Sequence, residues 1–344
     1  MSKKTRGQYY TSNSSYILDG FSIPSSVMKI VEPFAGKGDL TEWIRHSGYT
    51  GLIEQYDIDP KKEDILQRDT LLNPPDYNNA WVITNPPYLA RNKSDSKDIY
   101  NIYNTNDLYK CFMHSLLNSG CLGGIIIIPA GFFLSPRLID STIRDAFLSE
   151  YKLTSVKYFE ETVFSDTTTT VVALLFNKSD VKLSTQTVEW IHRPSGEKKL
   201  FTLTKDYSWI IGGDIYNLSV NSAIKVRRYV VGQPLKEGEQ QTHITLNALD
   251  SGSKEGRISL NYSAGVVYQA KECSRTFATL RILGKTLSAE EQKDLCTRFN
   301  TLLETKRKST WSLFLPQYRE SKEYARKRIP FELAYTIVEH LLSS

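Results

Sequence analysis

The tetrapeptide Asn85-Pro86-Pro87-Tyr88 joins residue types that can together activate a planar amino group. An aromatic amino nitrogen is a poor nucleophile, because its lone pair is delocalised into the ring. Two acceptors that take its two hydrogens bias it toward tetrahedral geometry. The lone pair then turns out of the plane, toward an electrophilic methyl. The side-chain oxygen of Asn85 and the backbone carbonyl of Pro86 are acceptors of this kind. Pro86 and Pro87 stiffen the backbone and bring no N–H that would compete. Tyr88 offers a flat face on which a ring can stack. Four residues alone also fit an ordinary Pro-Pro turn after a strand, so the surroundings decide.

Those surroundings are short apolar runs that alternate with amphipathic stretches. Run 81–84 reads as a buried strand, which puts the tetrapeptide at its carboxyl end, where ligands bind in open α/β sheets. Run 27–34 reads as a strand that ends in the small-residue turn Ala35-Gly36-Lys37-Gly38, before a helix over 40–46. Glycines there let the backbone approach a ligand closely. The spacing is neither GxGxxG nor that of a triphosphate-binding loop. Run 52–58 is a second strand and ends in Tyr56-Asp57-Ile58-Asp59-Pro60, an acid placed to suit ribose hydroxyls. Arg68-Asp69-Thr70 ends a third short element, where Asp69 can accept from an adenine amino group. In series, these strand ends outline an adenosyl pocket.

Further along, 108–117 has helical spacing, and 124–129, with four consecutive isoleucines, reads as a strand buried on both faces. Run 141–148 reads as a helix, and 156–159 and 171–176 as strands that pair as an antiparallel edge. This alternation predicts an α/β fold with a mostly parallel sheet and helices on both faces. The pattern changes near Asn177-Lys178-Ser179-Asp180, which predicts domains over 1–178 and 179–344. Near the end, Pro330 suits the first turn of a helix. Leu333, Ala334, Ile337, Val338, Leu341 and Leu342 give that helix one apolar face, expected to pack back on the body.

Composition narrows the function classes. The 344 residues are 40% apolar and 24% charged, which is ordinary globular usage with room for two cores. No apolar run approaches the ~20 residues of a membrane span. The basic start Met1-Ser2-Lys3-Lys4-Thr5-Arg6 precedes no apolar stretch, so it reads as a flexible start and not a secretory signal. Cys111, Cys121, Cys273 and Cys296 lack CxxC spacing, which predicts reduced thiols, no metal site and a cytoplasmic location. Residues 180–344 carry 25 Lys+Arg against 18 Asp+Glu, and residues 1–179 carry 18 against 20. The basic excess of the second half predicts a polyanion held mainly there.

Taken together, the motifs resemble the gamma group of N6-adenine DNA methyltransferases, of the type II restriction-modification kind. The resemblance covers about residues 5–177, in the right motif order. It implies a Rossmann-like S-adenosylmethionine-dependent fold followed by an α+β target-recognition domain. Gly7-Gln8-Tyr9-Tyr10-Thr11 looks like the segment that closes over the methionine end of the cofactor. Glu32, Pro33, Phe34, Ala35, Gly36 and Gly38 look like the first cofactor motif. Asp57, with Ile58 beside it, falls on the ribose-binding acid, and Asp69, followed by Thr70, on the reader of the cofactor's adenine. Residues 85–88 match the catalytic motif without departure. Phe112, in Asp107-Leu108-Tyr109-Lys110-Cys111-Phe112, falls on an aromatic that packs on the cofactor adenine. Phe164, in Glu161-Thr162-Val163-Phe164-Ser165, falls on a second aromatic against a base swung out of the duplex. A basic residue often follows that aromatic; here Asp166 and Thr167 follow instead.

The implied reaction is direct methyl transfer from S-adenosylmethionine, leaving S-adenosylhomocysteine, to adenine in double-stranded DNA. The implied site is a short palindrome such as CATG, and the implied enzyme is a monomer beside a cognate restriction endonuclease. Residues 89–106 are long for a loop in a compact domain and read as a lid, with Arg91, Lys93 and Lys97 as phosphate candidates. In the second half the candidates are Lys198, Lys199, Arg227, Arg228, Arg275, Arg281, Lys306, Arg307, Lys308, Arg326, Lys327 and Arg328, among Trp311, Phe314, Tyr318 and Tyr324. The alternatives are a protein glutamine methyltransferase, whose carboxamide nitrogen is also planar, an RNA adenine methyltransferase, and a DNA-binding module without catalysis. A basic domain after the catalytic motifs favours DNA over glutamine.

Overall fold

The computed structural model describes residues 7–165, 167, 169–250, 257–269, 271, 274–318 and 326–343. The expectations for residues 1–6, Asp166, Cys273 and Tyr324 lie outside them, as does the side chain of Tyr318. The chain forms two compact units that divide at Trp209 and Ile210.

The first unit is built on a nine-stranded sheet. Its strands are β1 (Lys29–Glu32), β2 (Leu52–Asp57), β3 (Leu66–Gln67), β4 (Trp81–Thr84), β5 (Gly123–Pro129), β6 (Tyr151–Phe159), β7 (Val171–Lys178), β8 (Thr185–Arg193) and β9 (Lys198–Thr204). Their spatial order is β3-β2-β1-β4-β5-β7-β6-β8-β9. The first five are mutually parallel, and β7 runs antiparallel to both β5 and β6. This is a Rossmann-like α/β fold with a mostly parallel sheet. The order reverses between β1 and β4. Helix α2 (Asp39–His46) follows β1 toward one edge, and α4 (Leu108–Ser119) follows β4 toward the other. Right-handed crossovers therefore put these helices on opposite faces and leave a crevice at the carboxyl ends of β1 and β4.

Burial follows the sequence pattern. Ile125, Ile126, Ile127 and Ile128 are almost wholly buried, because β5 is covered on both faces. The remaining helices of this unit are α1 (Ser14–Ile17), α3 (Asp98–Ile102), α5 (Gly131–Leu134) and α6 (Leu138–Glu150). Inside it, Lys110 on α4 is paired with Asp140 on α6, each only 2% exposed.

Two expectations change here. The pair β6–β7 is not the sheet edge, because β8 adds in parallel to β6 and β9 pairs with β8. The change of compact unit accordingly falls after Trp209 and not at 178/179. The indole of Trp209 is fully buried and donates to Asp145 on α6 at 2.9 Å. The stretch 177–180 ends β7 and opens the connection to β8 of the same sheet, and its composition alone does not distinguish that from a linker.

The second unit is α+β. Strands β10 (Lys225–Arg228), β11 (Glu239–Asn247), β12 (Ser259–Tyr262) and β13 (Phe277–Leu283) form an antiparallel sheet in the order β10-β13-β11-β12. Helices α7 (Ala289–Thr310) and α8 (Phe331–Ser343) follow, with the short ribbon β14 (Gln317–Tyr318) and β15 (Arg326–Lys327) between them. Helix α7 starts in a capping box: Glu291 N–H donates to Ser288 Oγ at 3.2 Å, and Ser288 N–H to Glu291 Oε2 at 2.7 Å. Leu333, Ile337, Val338 and Leu341 of α8 join the core of this unit with Leu246, Ile282 and Phe299. The terminal helix thus packs within its own unit. Arg307 on α7 donates to Asp250 at 2.6 Å with both side chains 4% exposed, so removal of either partner costs roughly 3–5 kcal/mol.

Among the described residues no helix is long and apolar enough to cross a membrane, and no cluster of His, Cys, Asp and Glu is arranged to hold a metal ion.

Candidate active site

The loops after β1, β2, β3 and β4 meet around a cavity of about 430 Å³. Phe34, Gly36, Asp57, Ile58, Asp69 and Thr70 line it, together with Tyr10, Asn85 and Pro87. Gly36 has φ +57°, and a Cβ there would come within 2.9 Å of the Tyr10 ring. Its N–H donates to Asp57 Oδ2 at 2.8 Å, while Asp57 Oδ1 accepts from Asp59 N–H at 2.8 Å. Asp57 is thereby fixed in orientation at the end of β2. Asp69 Oδ1 accepts from the N–H groups of Leu71 and Leu72, at 3.1 and 3.2 Å. Thr70 Oγ1 donates to the Pro33 carbonyl at 2.8 Å, which staples the end of β3 to the loop after β1. Ala35 N–H donates to the Tyr56 carbonyl at 2.8 Å and Gly38 N–H to the Ala35 carbonyl at 2.7 Å, shaping the turn into α2.

This donor set fits an adenosyl group. Carboxylates stand at two successive strand ends, where hydroxyls and an amino group can donate. Phe34 and Ile58 give apolar surface between them, and a bare glycine backbone leaves the room that a side chain would fill.

Six expected cofactor residues, Thr11, Glu32, Pro33, Ala35, Gly38 and Phe112, are buried and do not line this cavity. Glu32 is 1% exposed and accepts from the Thr41 hydroxyl on α2; burial pushes its carboxyl up to about 8. Phe112 is fully buried and meets the Phe34 ring edge-on, centroids 5.4 Å apart, so it backs the aromatic that faces the cavity. Thr11 is buried and acts on Asn85, as follows.

Asn85 Nδ2 donates to the Tyr9 carbonyl at 3.0 Å and to Thr11 Oγ1 at 3.1 Å. These two acceptors fix which way the amide is turned. Its oxygen faces the other way, toward the Tyr88 hydroxyl, whose one hydrogen it shares with the Ile127 carbonyl 2.7 Å from that hydroxyl. Tyr88 N–H donates to the Gly7 carbonyl at 2.9 Å, so the segment before α1 is strapped along the tetrapeptide. Burial holds the Tyr88 phenol well above its ordinary pKa, which keeps it a neutral donor.

Tyr88 does not lie open in the first cavity. Its ring is 5.6 Å from that of Tyr9, which lines this cavity, and 6.4 Å from that of Tyr109, which lines a second. The second cavity measures about 720 Å³ and is bordered by Arg91, Lys93, Lys97, Lys110 and Arg137. Phe164 is 3% exposed and is not among the residues lining either cavity. The motif that drew attention to it does not place its ring at the surface.

The stretch over 89–106 carries a short 3₁₀ turn (Arg91–Lys93) and α3. Ser94, Ser96, Asp98 and Ile99 from it line the first cavity. The length of that loop marked it in the sequence, but nothing in its residue types singled out these four. Burial pushes the Asp107 carboxyl up to about 6; it accepts from Leu89 N–H at 3.2 Å and anchors the start of the loop.

Several cations expected to touch nucleic acid have structural partners. Lys198 and Lys199 lie on β9 of the first unit and pair with Glu189 and Glu197. Arg281 is buried and donates to the carbonyls of Gln233 and Pro234 at 2.8 and 3.1 Å. Lys306 pairs with Asp214, and Arg307 with Asp250. Phe314 is core.

The modification subunit assigned to a type I restriction enzyme of Vibrio vulnificus YJ016 aligns at 17% identity over 56% of this chain and 49% of its own, TM-score 0.42. The type I methyltransferase subunit of Streptococcus thermophilus aligns at 17% over 54% and 48%, TM-score 0.39. The type IIG restriction endonuclease BpuSI aligns at 13% over 64% and 35%, TM-score 0.39. The chain thus spans about half the length of the first of these. None of the curated proteins matches it. Residues 57–164, which hold Asp57, Asp69 and the tetrapeptide 85–88, match the model of the Eco57I restriction-modification methylase family.

Proposed function

We propose that the chain methylates the N6 amino group of adenine in duplex DNA, with S-adenosylmethionine as methyl donor. The observation that carries this reading is Asn85: its amide is locked by Tyr9 and Thr11 at the rim of a cavity with an adenosyl-type donor set. The similarity of residues 57–164 to restriction-modification methylases supports DNA as the substrate. So does the second unit, whose residues 210–318 and 326–344 carry 18 Lys+Arg against 12 Asp+Glu.

When bound, S-adenosylmethionine supplies an electrophilic methyl on a sulfonium. The chain's own residues do the rest. Asp57 accepts from ribose hydroxyls, Asp69 from the adenine amino group of the cofactor, and Phe34 covers its ring. Asn85 Oδ1 and the Pro86 carbonyl accept the two hydrogens of the target amine, which frees its lone pair for in-line attack. Transfer to nitrogen leaves that nitrogen with one proton too many, and these acceptors hold it until solvent takes it. The target adenine sits inside the duplex and must swing out to reach them. The enzyme works as a monomer on one strand at a time, paired with a restriction endonuclease of the same specificity.

The test is transfer of labelled methyl to unmethylated genomic DNA, followed by nucleoside analysis. Label in 6-methyladenine is the expected result. Label in added RNA or protein, with none in DNA, overturns the substrate.

A further inference from the structure

We infer that the second cavity of the first unit, bordered by Arg91, Lys93 and Lys97, holds a backbone phosphate next to the target adenine; this rests on the proposal that adenine in duplex DNA is the substrate. The cavity measures about 720 Å³. The stretch that follows the tetrapeptide bounds it on one side, and Pro129 and Gly131, at the carboxyl end of β5, on another.

Its charges do not balance. Five cations and two carboxylates border it. Lys110 and Arg137 both answer Asp140, the latter at 2.7 Å. Asp107, the other carboxylate, accepts from the Leu89 N–H at 3.2 Å and feels the charge of Lys110. The remaining three cations meet only neutral groups among the described residues. Arg91 donates to the Asn101 side-chain oxygen at 2.7 Å. Lys97 donates to the Arg91 carbonyl at 2.5 Å and to the Ser94 carbonyl. Both are thus held in place with their charge intact. Lys93 is exposed, and its ammonium has no hydrogen bond or ion pair among the described residues. Of the two acids on the same stretch, Asp98 lines the first cavity and Asp95 lines neither. The stretch therefore turns its cations to one cavity and a carboxylate to the other. A concave surface with an excess of one sign concentrates the field and attracts ions of the other sign.

Position selects the ligand. The Tyr88 ring lies between Tyr9, which lines the first cavity, and Tyr109, which lines the second, with centroids 5.6 and 6.4 Å away. One ring separates the acceptor Asn85 from the basic cavity. A base whose amino group reaches Asn85 has its own phosphates one sugar away, within range of these cations. Swinging a base out of the stack costs pairing and stacking energy, and a held phosphate offsets part of that cost. The guanidinium fork of Arg91 and the point charge of Lys93 both suit a phosphate. Such a contact positions the nucleotide and carries no sequence information.

The experiment measures binding to the full chain of a short duplex containing the site that the parent methylates, located by sequencing its product DNA. The phosphates around the target adenine are replaced one at a time by neutral methylphosphonate linkages. The parent is expected to lose about tenfold in affinity at a linkage adjoining that adenine. Arg91→Ala/Lys93→Ala is expected to bind the unmodified duplex about tenfold more weakly than the parent does, and to lose nothing more at that linkage. Lys93→Arg keeps the charge and behaves as the parent. Ser94 and Ser96 of the same stretch line the first cavity, so a parent-like S-adenosylmethionine affinity reports that the stretch keeps its course. Lys93→Ala gives up no contact of its own and shows the same pattern at lower amplitude, should the double change disturb the stretch. A parent indifferent to the adjoining linkages, or alanine variants that lose as much there as the parent does, overturns the site alone. A parent that methylates no adenine in duplex DNA overturns the site together with the proposal beneath it.

Discussion

The hydroxyl of Tyr88 donates to the side-chain oxygen of Asn85, the same atom that the proposed transfer needs as an acceptor. An amide oxygen has two lone pairs, so one can hold the phenol while the other takes the target amine. The Ile127 carbonyl, 2.7 Å from the same hydroxyl, shares its single hydrogen and ties that geometry to β5. Tyr88 is then a positioning group through its hydroxyl as well as a ring beside the site. Tyr88→Phe separates the two roles: kcat is expected to fall several-fold, with S-adenosylmethionine affinity unchanged and a stability loss of about 1 kcal/mol. Parent-like kcat in steady-state assays would leave the ring as its whole contribution.

Thr11 holds the other end of the same amide. Thr11→Val keeps the shape and removes the acceptor, leaving only the Tyr9 carbonyl for Asn85 Nδ2. We expect kcat to drop about tenfold, the scale of one net hydrogen bond of about 1–1.5 kcal/mol. Thr11→Ser restores it. A rise in cofactor Kd at constant kcat would return Thr11 to the cofactor side.

Gly36→Ala tests the cofactor cradle. The new Cβ meets the Tyr10 ring at 2.9 Å, and φ +57° costs a non-glycine residue about 1–2 kcal/mol. Calorimetry is expected to show S-adenosylmethionine binding weakened at least about tenfold, with partial recovery when Tyr10→Ala is added. Undiminished affinity in the single variant would place the cofactor elsewhere.

Glu32 predicts a pH dependence of stability. Its carboxyl is raised from an ordinary 4.5 to about 8 by burial. The folded state therefore holds a proton that the unfolded chain releases above pH 4.5. This contribution is complete below the unfolded pKa and is lost as pH rises toward 8. Glu32→Gln, which cannot ionise, should flatten the fall in Tm over that window and melt higher than the parent at pH 8.5. Parallel Tm curves for the two proteins would mean that Glu32 is ionised when folded.

How far these residues could be read from sequence depends on what each one contacts. The strands that end at Asp57 and just before Asn85 were legible because apolar runs and their terminators are local signals. The side-chain partners of Asn85 were not: Tyr9 and Thr11 lie more than seventy residues away, and no spacing rule links them. Motif membership named Phe112 and Phe164 but could not say which way the rings face. Phe34, a single aromatic in a glycine turn, lines the cavity, with Phe112 behind it. The unit boundary was misplaced because a turn after β7 and a linker share the same polar composition. Among the cations, charge was visible, but partners such as Glu239 and Asp250 were not.

The most direct test of the account is the single-turnover rate of methyl transfer to duplex DNA by Asn85→Ala, measured beside its S-adenosylmethionine affinity. The account predicts a rate lower by about 10²–10³, the usual cost of removing one preorganised hydrogen-bonding group from a reacting centre, with affinity largely retained. A rate close to the parent's, at equal affinity, would contradict it.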